Sequence, residues 1–437
     1  MSLKVVKFGG SSLADANQFI KVKNIINAER ESRRYVVPSA PGKRFSEDKK
    51  ITDLLYSCYE CKLPDEFEKS FSIITERFNS IIAELHLDLN LDEEFMKIKN
   101  SFILKAGRDY AASRGEYING LILAKYLNFT FIDAAEIIYF QDNGTFDAER
   151  TNDAIKNVLL HYDNAVIPGF YGSMPNDTIK TFSRGGSDIT GSIIARAVSA
   201  DIYENFTDVS GFMVIDPRIV KNPARIDVIT YKELRELSYM GATVLHEEAI
   251  FPVRKASIPI NIKNTNEPNE KGTFIVESAE TSSGGIITGI AGKKGFSVIT
   301  IEKAMMNQEL GFVRKILSIL ESNNLSFEHL PSGIDTLSVI LPTNSIENIK
   351  AQIISDIYKG VNPDNVDIDS DLALVAIVGR NMKSNKGTAA RVFSAVAQAG
   401  INIRMIDQGS SELNIIIGVD ECDFEKAVNN IYHEFIK

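Results

Sequence analysis

Residues Lys4–Phe8 read Lys-Val-Val-Lys-Phe and lead directly into Gly-Gly-Ser-Ser at residues 9–12. The apolar run predicts a short buried strand, and Asp15 then opens an amphipathic pattern that predicts a helix to about Glu31. A strand that passes through a glycine pair into a helix is typical of a layered α/β sheet. The pattern therefore predicts an α/β fold with an open, mostly parallel sheet sandwiched by helices.

The same alternation continues along the first two-thirds of the chain. Short β-branched runs predict further strands at residues 35–37, 129–132, 165–167, 178–182, 202–206 and 258–262. Between residue 51 and about residue 126 the pattern is mostly helical, which predicts a long helical insertion into the sheet.

The composition excludes several classes of protein. The 437 residues include 48 Lys and Arg against 58 Asp and Glu, a net charge of −10, which argues against nucleic-acid or anionic-membrane binding as the main role. No run of about 18 apolar residues could span a bilayer, and the N-terminus lacks the apolar core of a signal peptide. Three cysteines cannot form a disulfide framework, and the five scattered histidines do not predict a zinc site. We expect a cytoplasmic protein.

The C-terminal third contains an internal repeat. Shifting the chain by 76 residues aligns residues 297–341 with residues 373–417 without a gap, and each copy predicts a ferredoxin-like βαββ unit. Before the repeat, residues 277–285 are small and polar and end in two glycines, as in a linker.

The linker sets the predicted domain boundaries. The first domain is expected to span residues 1–283 and the second residues 284–437. Within the second, one copy is expected at about 303–370 and the other at about 371–437, with a strand at 286–302 shared or interleaved.

The loop at residues 7–12 is a candidate anion site. Gly9 and Gly10 allow backbone N–H groups to approach a ligand, and Lys7 adds a positive charge at the end of the strand. The spacing differs from that of the P-loop and of the dinucleotide fingerprint. Taken alone, the loop is equally compatible with a tight turn.

A second loop, Ser-Arg-Gly-Gly-Ser-Asp at residues 183–188, resembles the first. Arg184 offers a planar fork for a carboxylate and Asp188 can bind an ammonium, with a helix expected at residues 189–198. The alternative is a turn in which Asp188 only caps that helix. Two such turns predict a γ-phosphate held between them.

Three more segments carry candidate ligands. Residues 207–213 follow a predicted strand, and the loop at 216–218 (Asp-Pro-Arg) is placed to contact a nucleotide. In the helical insertion, Ser-Arg-Gly-Glu at 113–116 offers the Glu116 carboxylate to a substrate ammonium. By composition alone, a glutamate such as Glu116 is more often a solvated surface residue than a ligand.

Taken together, these motifs resemble the aspartokinase family, which has the amino-acid kinase fold. The motifs at 7–12, 113–116, 184–188, 207–211 and 216–218 occur in the family's order, and the repeat resembles its paired ACT domains, of βαββαβ form. The resemblance implies transfer of a phosphoryl group from ATP, with Mg²⁺, to L-aspartate, giving 4-phospho-L-aspartate for lysine, threonine and methionine synthesis. No general base is needed, since the β-carboxylate is already an anionic nucleophile.

The resemblance also assigns residues to roles. The catalytic residues it implies are Lys7, Asp188 and Arg184. The substrate-binding residues it implies are Thr52, Glu116, Arg184, Gly186, Ser187 and Asp188. The ATP-binding residues it implies are Lys7, Gly9, Gly10, Ser11, Thr207, Asp208, Met213, Arg218 and Thr243. Thr243 stands where the family usually carries Lys, and no protein ligand to a metal is assigned.

The resemblance of the repeat to paired ACT domains implies feedback control. The effector-binding residues implied in the first copy are Met306, Gly311, Phe312, Ser326, Phe327, Glu328, Gly333, Ile334 and Asp335. The acids Glu328 and Asp335 favour the ammonium of lysine as effector, with threonine, or both together, as the alternative. Their equivalents in the second copy are Arg404 and Ser411, so the second copy is expected to build an interface in a homodimer or tetramer.

Some alternatives remain open at this point. The charged loop at residues 38–50 is compatible with a mobile lid or with a solvated loop. Rival functions are a kinase of the same fold acting on glutamate, N-acetylglutamate, carbamate or UMP, and a catalytically silent amino-acid sensor.

Overall fold

The computed structural model describes residues 2–183, 185–242, 245, 247–279 and 285–436. The chain divides into two compact units. Unit 1 comprises Met1–Phe212, Asp227–Tyr231 and Val244–Ala279, and unit 2 comprises Met213–Ile226, Lys232–Thr243 and Glu280–Lys437. Residues 213–226 and 232–243 belong to unit 2 in this division.

A mostly parallel sheet forms the centre of unit 1. Its strands, together with those of a small hairpin, are β1 (Lys4–Phe8), β2 (Arg33–Pro38), β3 (Thr130–Phe131), β4 (Ala165–Val166), β5 (Tyr171–Ser173), β6 (Ile179–Thr181), β7 (Ile202–Thr207), β8 (Val228–Thr230), β9 (Ile260–Asn264) and β10 (Thr273–Val276). In the described part of the chain, the sheet has the order β3-β4-β2-β1-β7-β9-β10-β8, and only β9 and β10 pair antiparallel. This confirms the predicted fold class.

One predicted strand lies elsewhere. The run at residues 178–182 forms β6, and among the described residues this strand pairs only with β5, in a separate antiparallel hairpin. The expectation that this run joins the layered sheet is therefore wrong. Its three residues are all half-buried, whereas β1 is buried along nearly its whole length.

The helices of unit 1 cover the sheet and form the predicted insertion. They are α1 (Ala16–Ala28), α2 (Ile51–Glu60), α3 (Pro64–Glu84), α4 (Asp92–Ile103), α5 (Arg108–Leu127), α6 (Ala134–Ile137), α7 (Ala148–Leu159), α8 (Gly186–Ala197) and α10 (Glu247–Lys255). Helix α9 (Tyr231–Tyr239) begins in unit 1 with Tyr231 and belongs otherwise to unit 2. Helices α2 to α5 occupy the region predicted to be helical. Phe78, Phe102 and Ile118 from three of them are almost completely buried in one core.

The repeat forms one antiparallel sheet in unit 2. Its strands are β11 (Gly289–Glu302), β12 (Thr336–Pro342), β13 (Asn365–Val378), β14 (Met405–Asp407) and β15 (Asn414–Asp420), and its helices are α11 (Phe312–Ser322), α12 (Thr343–Ile346), α13 (Lys350–Val361), α14 (Thr388–Gln398) and α15 (Phe424–Phe435). The order is β12-β11-β13-β15-β14. The two long strands β11 and β13 are antiparallel partners along most of their length: the first part of β11 pairs with the last part of β13, and the last part of β11 pairs with the first part of β13. Both copies of the repeat therefore share these two strands.

The central strands of unit 1 bring several loops to one edge. Phe8 at the end of β1 is in register with Pro38 of β2 on one side and with Phe206 of β7 on the other. Because these strands are parallel, the loops that follow them leave the same edge of the sheet, where open α/β sheets bind their ligands.

No helix within the described residues is both long and apolar enough to cross a membrane.

Candidate active site

The loop after β1 is held by close backbone contacts. The N–H of Gly9 donates to the carbonyl of Phe206 at 2.9 Å, and the carbonyl of Gly10 accepts from the N–H of Gly42 at 2.7 Å. A Cβ built on Gly10 would lie 2.8 Å from the carbonyl oxygen of Ala40. The loop that contains Ala40 therefore comes too close to Gly10 for any larger residue, whether or not a ligand also approaches there.

The helix after this loop begins later than the loop itself. Gly10–Leu13, which includes Ser11, forms a 3₁₀ turn, and α1 starts only at Ala16. Asp15 caps α1, since its side chain accepts from the N–H of Gln18. The Asp15 carboxylate thus occupies the positive end of the α1 dipole.

Lys7 lies next to the second glycine-bearing loop. Its side chain is buried, 7% exposed, and its Nζ lies 2.6 Å from Oδ1 of Asp188. Lys7 is near the end of β1 and Asp188 is in the first turn of α8. The two glycine-containing segments that the sequence predicts to act together are therefore in contact through their charged side chains.

The start of α8 differs from the prediction. The helix begins at Gly186 and not at residue 189, with Gly185 as its N-cap in the left-handed conformation at φ +60°. Asp188 therefore does not cap the helix; it lies in the first turn with its carboxylate on Lys7. Ser187 is buried next to Gly169, while Arg184 lies outside the described residues.

Glu116 is buried in unit 1. Only 5% of it is exposed, so the alternative of a solvated surface residue is wrong. Loss of hydration raises the pKa of its carboxyl group to about 8, although a hydrogen bond from the backbone of Ala40 opposes that shift. Within the described part of the chain, its Oε2 has no hydrogen-bond partner.

Close helix packing explains the position of Glu116. A Cβ on Gly115 would lie 2.8 Å from Cβ of Ala40 and 3.2 Å from Cγ2 of Ile51, so α5 needs a glycine there to approach α2. Thr52 follows Ile51 in the first turn of α2 and is half-buried. The two predicted substrate residues Thr52 and Glu116 therefore sit on helices that touch beside Ala40.

The loop at residues 38–50 has a buried and an exposed part. Ala40, Pro41 and Gly42 are buried, whereas most residues from 43 to 50 are exposed. Asn119 of α5 donates from Nδ2 to the carbonyl of Ser39 at 2.6 Å. The first part of the loop thus packs between the glycine loop and the helix that carries Glu116, a role that neither sequence interpretation included.

The predicted nucleotide residues are divided between the units. Thr207 ends β7 in unit 1 and donates from Oγ1 to Oδ1 of Asp208 at 3.1 Å. Met213 and Arg218 belong to unit 2, where the exposed Arg218 forms an ion pair with Asp216 at 2.6 Å. Thr243 lies outside the described residues.

Sequence reasoning missed a third side chain at the Lys7–Asp188 pair. Asn205 of β7 donates from Nδ2 to Oδ1 of Asp188 at 2.8 Å. An Asn inside a predicted strand, two residues before Thr207, was the available signal.

The predicted effector residues lie in unit 2. Glu328 accepts a 2.5 Å hydrogen bond from the hydroxyl of Tyr239, and Oδ1 of Asp335 accepts from the N–H of Met305 at 2.8 Å. Gly311 is the left-handed N-cap of α11, and the following Phe312 is buried. The remaining members of the set are Met306, which is buried, and Ser326, Phe327, Gly333 and Ile334, which are exposed.

Comparisons with known proteins agree with this fold. The sequence profile of the Amino acid kinase family matches residues 2–264, and that of the ACT domain matches residues 375–435. Aspartokinase 3 of Bacillus subtilis (strain 168) is 40% identical, over 99% of this chain and 98% of its own length.

Solved structures extend the comparison. The crystal structure of Clostridium acetobutylicum aspartate kinase is 54% identical, with a TM-score of 0.91 and complete coverage of both chains. Escherichia coli aspartokinase III in complex with lysine and aspartate (T-state) is 25% identical, with a TM-score of 0.76 and complete coverage of both chains. Since a family profile spans more than half of the chain and a 40% identical relative matches nearly all of it, the chain belongs to the amino acid kinase family and, within it, to the aspartokinases, as an aspartate kinase.

Proposed function

We propose that the γ-phosphoryl group of ATP passes to the β-carboxylate of L-aspartate beside Lys7 and Asp188, giving 4-phospho-L-aspartate and ADP. The observation that supports this site most directly is the 2.6 Å contact between Lys7 Nζ and Asp188 Oδ1 at the carboxyl edge of the sheet. Phosphoryl transfer depends on placement and on stabilisation of negative charge, and a buried ammonium beside two loops suits that task.

Each residue of the site is proposed to have a separate role. Lys7 neutralises charge on the transferring phosphoryl group, and the backbone N–H groups of the loop at 9–11 supply further donors. Glu116 and Asp188 hold the ammonium of aspartate, and Arg184 holds its α-carboxylate. Thr52, Gly186 and Ser187 complete the aspartate site. The partnerless Oε2 of Glu116 supports its part in this assignment, because a buried carboxylate oxygen calls for a donor.

The nucleotide is proposed to contact Thr207, Asp208, Met213, Arg218 and Thr243. Mg²⁺ is proposed to enter with it. Within the described residues, no three His, Cys, Asp or Glu side chains are grouped as ligands to a metal ion. An ion that enters with the nucleotide would be held mainly by its phosphate oxygens and by water. When bound with ATP, Mg²⁺ would neutralise part of the phosphate charge.

Feedback inhibition by lysine is proposed for the first ACT copy, with threonine as the alternative effector. Glu328 lines a cavity of about 440 Å³ together with Lys293, Lys294 and Glu347. Two lysines and two glutamates complement a ligand that carries both a carboxylate and ammonium groups. Residues 1–283 are proposed as the catalytic domain and residues 284–437 as the regulatory region, which assembles a homodimer or tetramer.

A coupled assay for ADP tests the proposal. With ATP, Mg²⁺ and aspartate we expect turnover, with far less on glutamate, N-acetylglutamate, carbamate or UMP. Lys7→Met is expected to reduce kcat by at least about 10³-fold while the circular dichroism spectrum stays unchanged. Turnover on another acceptor would favour a different kinase of this fold, and no turnover with retained lysine binding would favour the silent sensor. Near-normal activity of Lys7→Met would contradict the proposed site.

A further inference from the structure

Asn205 contacts both members of the Lys7–Asp188 pair. Its Nδ2 donates to Oδ1 of Asp188 at 2.8 Å, and its Oδ1 accepts from Nζ of Lys7 at 3.4 Å. It is directly opposite Lys7 in the register of β7 and β1, and only 3% of it is exposed. The three side chains therefore form a closed triangle at the carboxyl edge of the sheet.

The chemistry of an amide suits this position. A buried ion pair loses hydration on both sides, and the loss is compensated only if further hydrogen bonds satisfy the remaining donors and acceptors. An amide supplies an N–H donor for the carboxylate and a carbonyl acceptor for the ammonium without adding charge. The preceding residue, Glu204, faces the other side of the sheet and pairs with Arg33 at 2.7 Å, as alternation along a strand requires.

We propose that Asn205 is a positioning residue for phosphoryl transfer, acting through Asp188 and Lys7. This inference rests on the proposed function. By holding Oδ1 of Asp188, Asn205 fixes the direction of that carboxylate, and it continues to hold it when Lys7 turns its ammonium towards a phosphoryl oxygen. Without Asn205, Lys7 alone would have to hold the carboxylate of Asp188. The lysine could not then contact both that carboxylate and a phosphoryl oxygen.

Two variants of Asn205 test the inference against a matched control. Asn205→Leu removes both hydrogen bonds while it keeps the branching of the side chain, and it is expected to lower kcat by about 10- to 100-fold, with a smaller change in the KM for ATP. Asn205→Asp retains the shape but places a carboxylate beside Asp188. It is expected to move the acid limb of the kcat–pH profile upward by about one pH unit, because like charges disfavour ionisation. Asn261→Leu on β9 removes another buried asparagine of the same sheet and is expected to leave kcat and the pH profile unchanged.

A double-mutant cycle separates positioning from a purely structural role. If Asn205 acts through Asp188, Asn205→Leu in an Asp188→Asn background lowers kcat by much less than it does alone. Additive effects, or equal losses of kcat in Asn205→Leu and Asn261→Leu, would overturn the inference. If Asn205→Leu does not fold, an unshifted pH profile in Asn205→Asp would overturn it as well. Because Lys7→Met tests the phosphoryl site itself, an inactive Lys7→Met with wild-type behaviour in both Asn205 variants would reject only the inference about Asn205.

Discussion

The N–H of Gly42 donates a 2.7 Å hydrogen bond to the carbonyl of Gly10, so the loop after β2 is fastened to the loop after β1. Both glycines approach each other through their backbones, and a Cβ on Gly42 would lie 2.6 Å from the carbonyl carbon of Gly10 and 2.7 Å from the nitrogen of Ser11. The shape of the proposed phosphate loop thus depends on a residue outside every sequence motif.

We expect Gly42→Ala to raise the KM for ATP by at least about tenfold. The new methyl group must push the backbone of Gly10 away, which misaligns donors that phosphoryl transfer needs in place. Steady-state kinetics with varied ATP measure this effect. Gly409→Ala serves as the control, since a Cβ there would meet only Oγ of Ser411, at 3.9 Å. Equal KM values for ATP in the two variants would contradict the proposed dependence of the loop after β1 on the loop after β2.

Arg77 is expected to stabilise the loop at residues 38–50. Its buried guanidinium donates to the carbonyls of Gly42 and Lys49 and lies 3.3 Å from Asp48. Arg77→Met leaves these carbonyls without their donor, which is expected to lower the free energy of unfolding by about 2 kcal/mol and to raise the KM for ATP.

Urea unfolding and steady-state kinetics measure both effects. Arg44→Met is the matched control, because the more exposed Arg44 pairs with the same Asp48, at 2.8 Å. An equal effect of the two substitutions on the KM for ATP would show that the contact with Gly42 is unimportant.

The central part of the fold could be predicted from the sequence because its strands are rich in β-branched and aromatic residues. β1 and β7 are buried on both faces, and such runs stand out without any knowledge of the partner strand. Neither β8, with three residues, nor β10, with four, was predicted. Length alone does not account for this, because β3 and β4 have only two residues each and were predicted. β6 was predicted, but its pairing in a separate hairpin depends on a partner that the sequence pattern does not identify.

The candidate site was only partly predictable for a related reason. Lys7 and Asp188 were found because each stands in a glycine-rich motif with a distinct chemistry. Asn205 and Gly42 act through contacts with residues far away in the chain, at Asp188 and Gly10, and only the folded structure brings those residues together. The burial of Glu116 was likewise hidden, since it results from packing of α5 against Ala40 and α2.

The raised pKa of Glu116 predicts that aspartate binding depends on pH. Burial raises that pKa to about 8, so the carboxyl group is largely neutral at pH 6, whereas the proposed ammonium contact requires its ionised form. We expect the KM for aspartate to fall, by at most about tenfold per pH unit, as the pH rises from 6 to 8. Glu116→Gln is expected to bind aspartate more weakly and to lose this dependence.

The KM for ATP, measured in parallel, is the control, and an equal pH dependence in Glu116→Gln would contradict the assignment. The same shift has an effect on folding. Between the ordinary glutamate pKa of 4.5 and about 8, the folded state binds more protons at Glu116 than the unfolded state does. This contribution to stability is therefore complete at low pH and is lost as the pH rises towards 8.

Tyr239 is expected to tune the response to lysine. Its hydroxyl donates to Glu328 and so orients the carboxylate that we propose as a ligand for the effector; the same contact raises the pKa of Tyr239 to about 12. Tyr239→Phe removes one hydrogen bond to a charged group, which is expected to raise the lysine concentration for half-inhibition by about 3- to 10-fold without changing the uninhibited kcat. Inhibition curves at fixed aspartate measure the shift, with Tyr358→Phe, an exposed tyrosine of α13, as the control. If Glu328→Gln abolishes inhibition while Tyr239→Phe leaves the curve unchanged, Glu328 binds the effector without help from Tyr239; if neither variant alters inhibition, the effector site lies elsewhere in the chain.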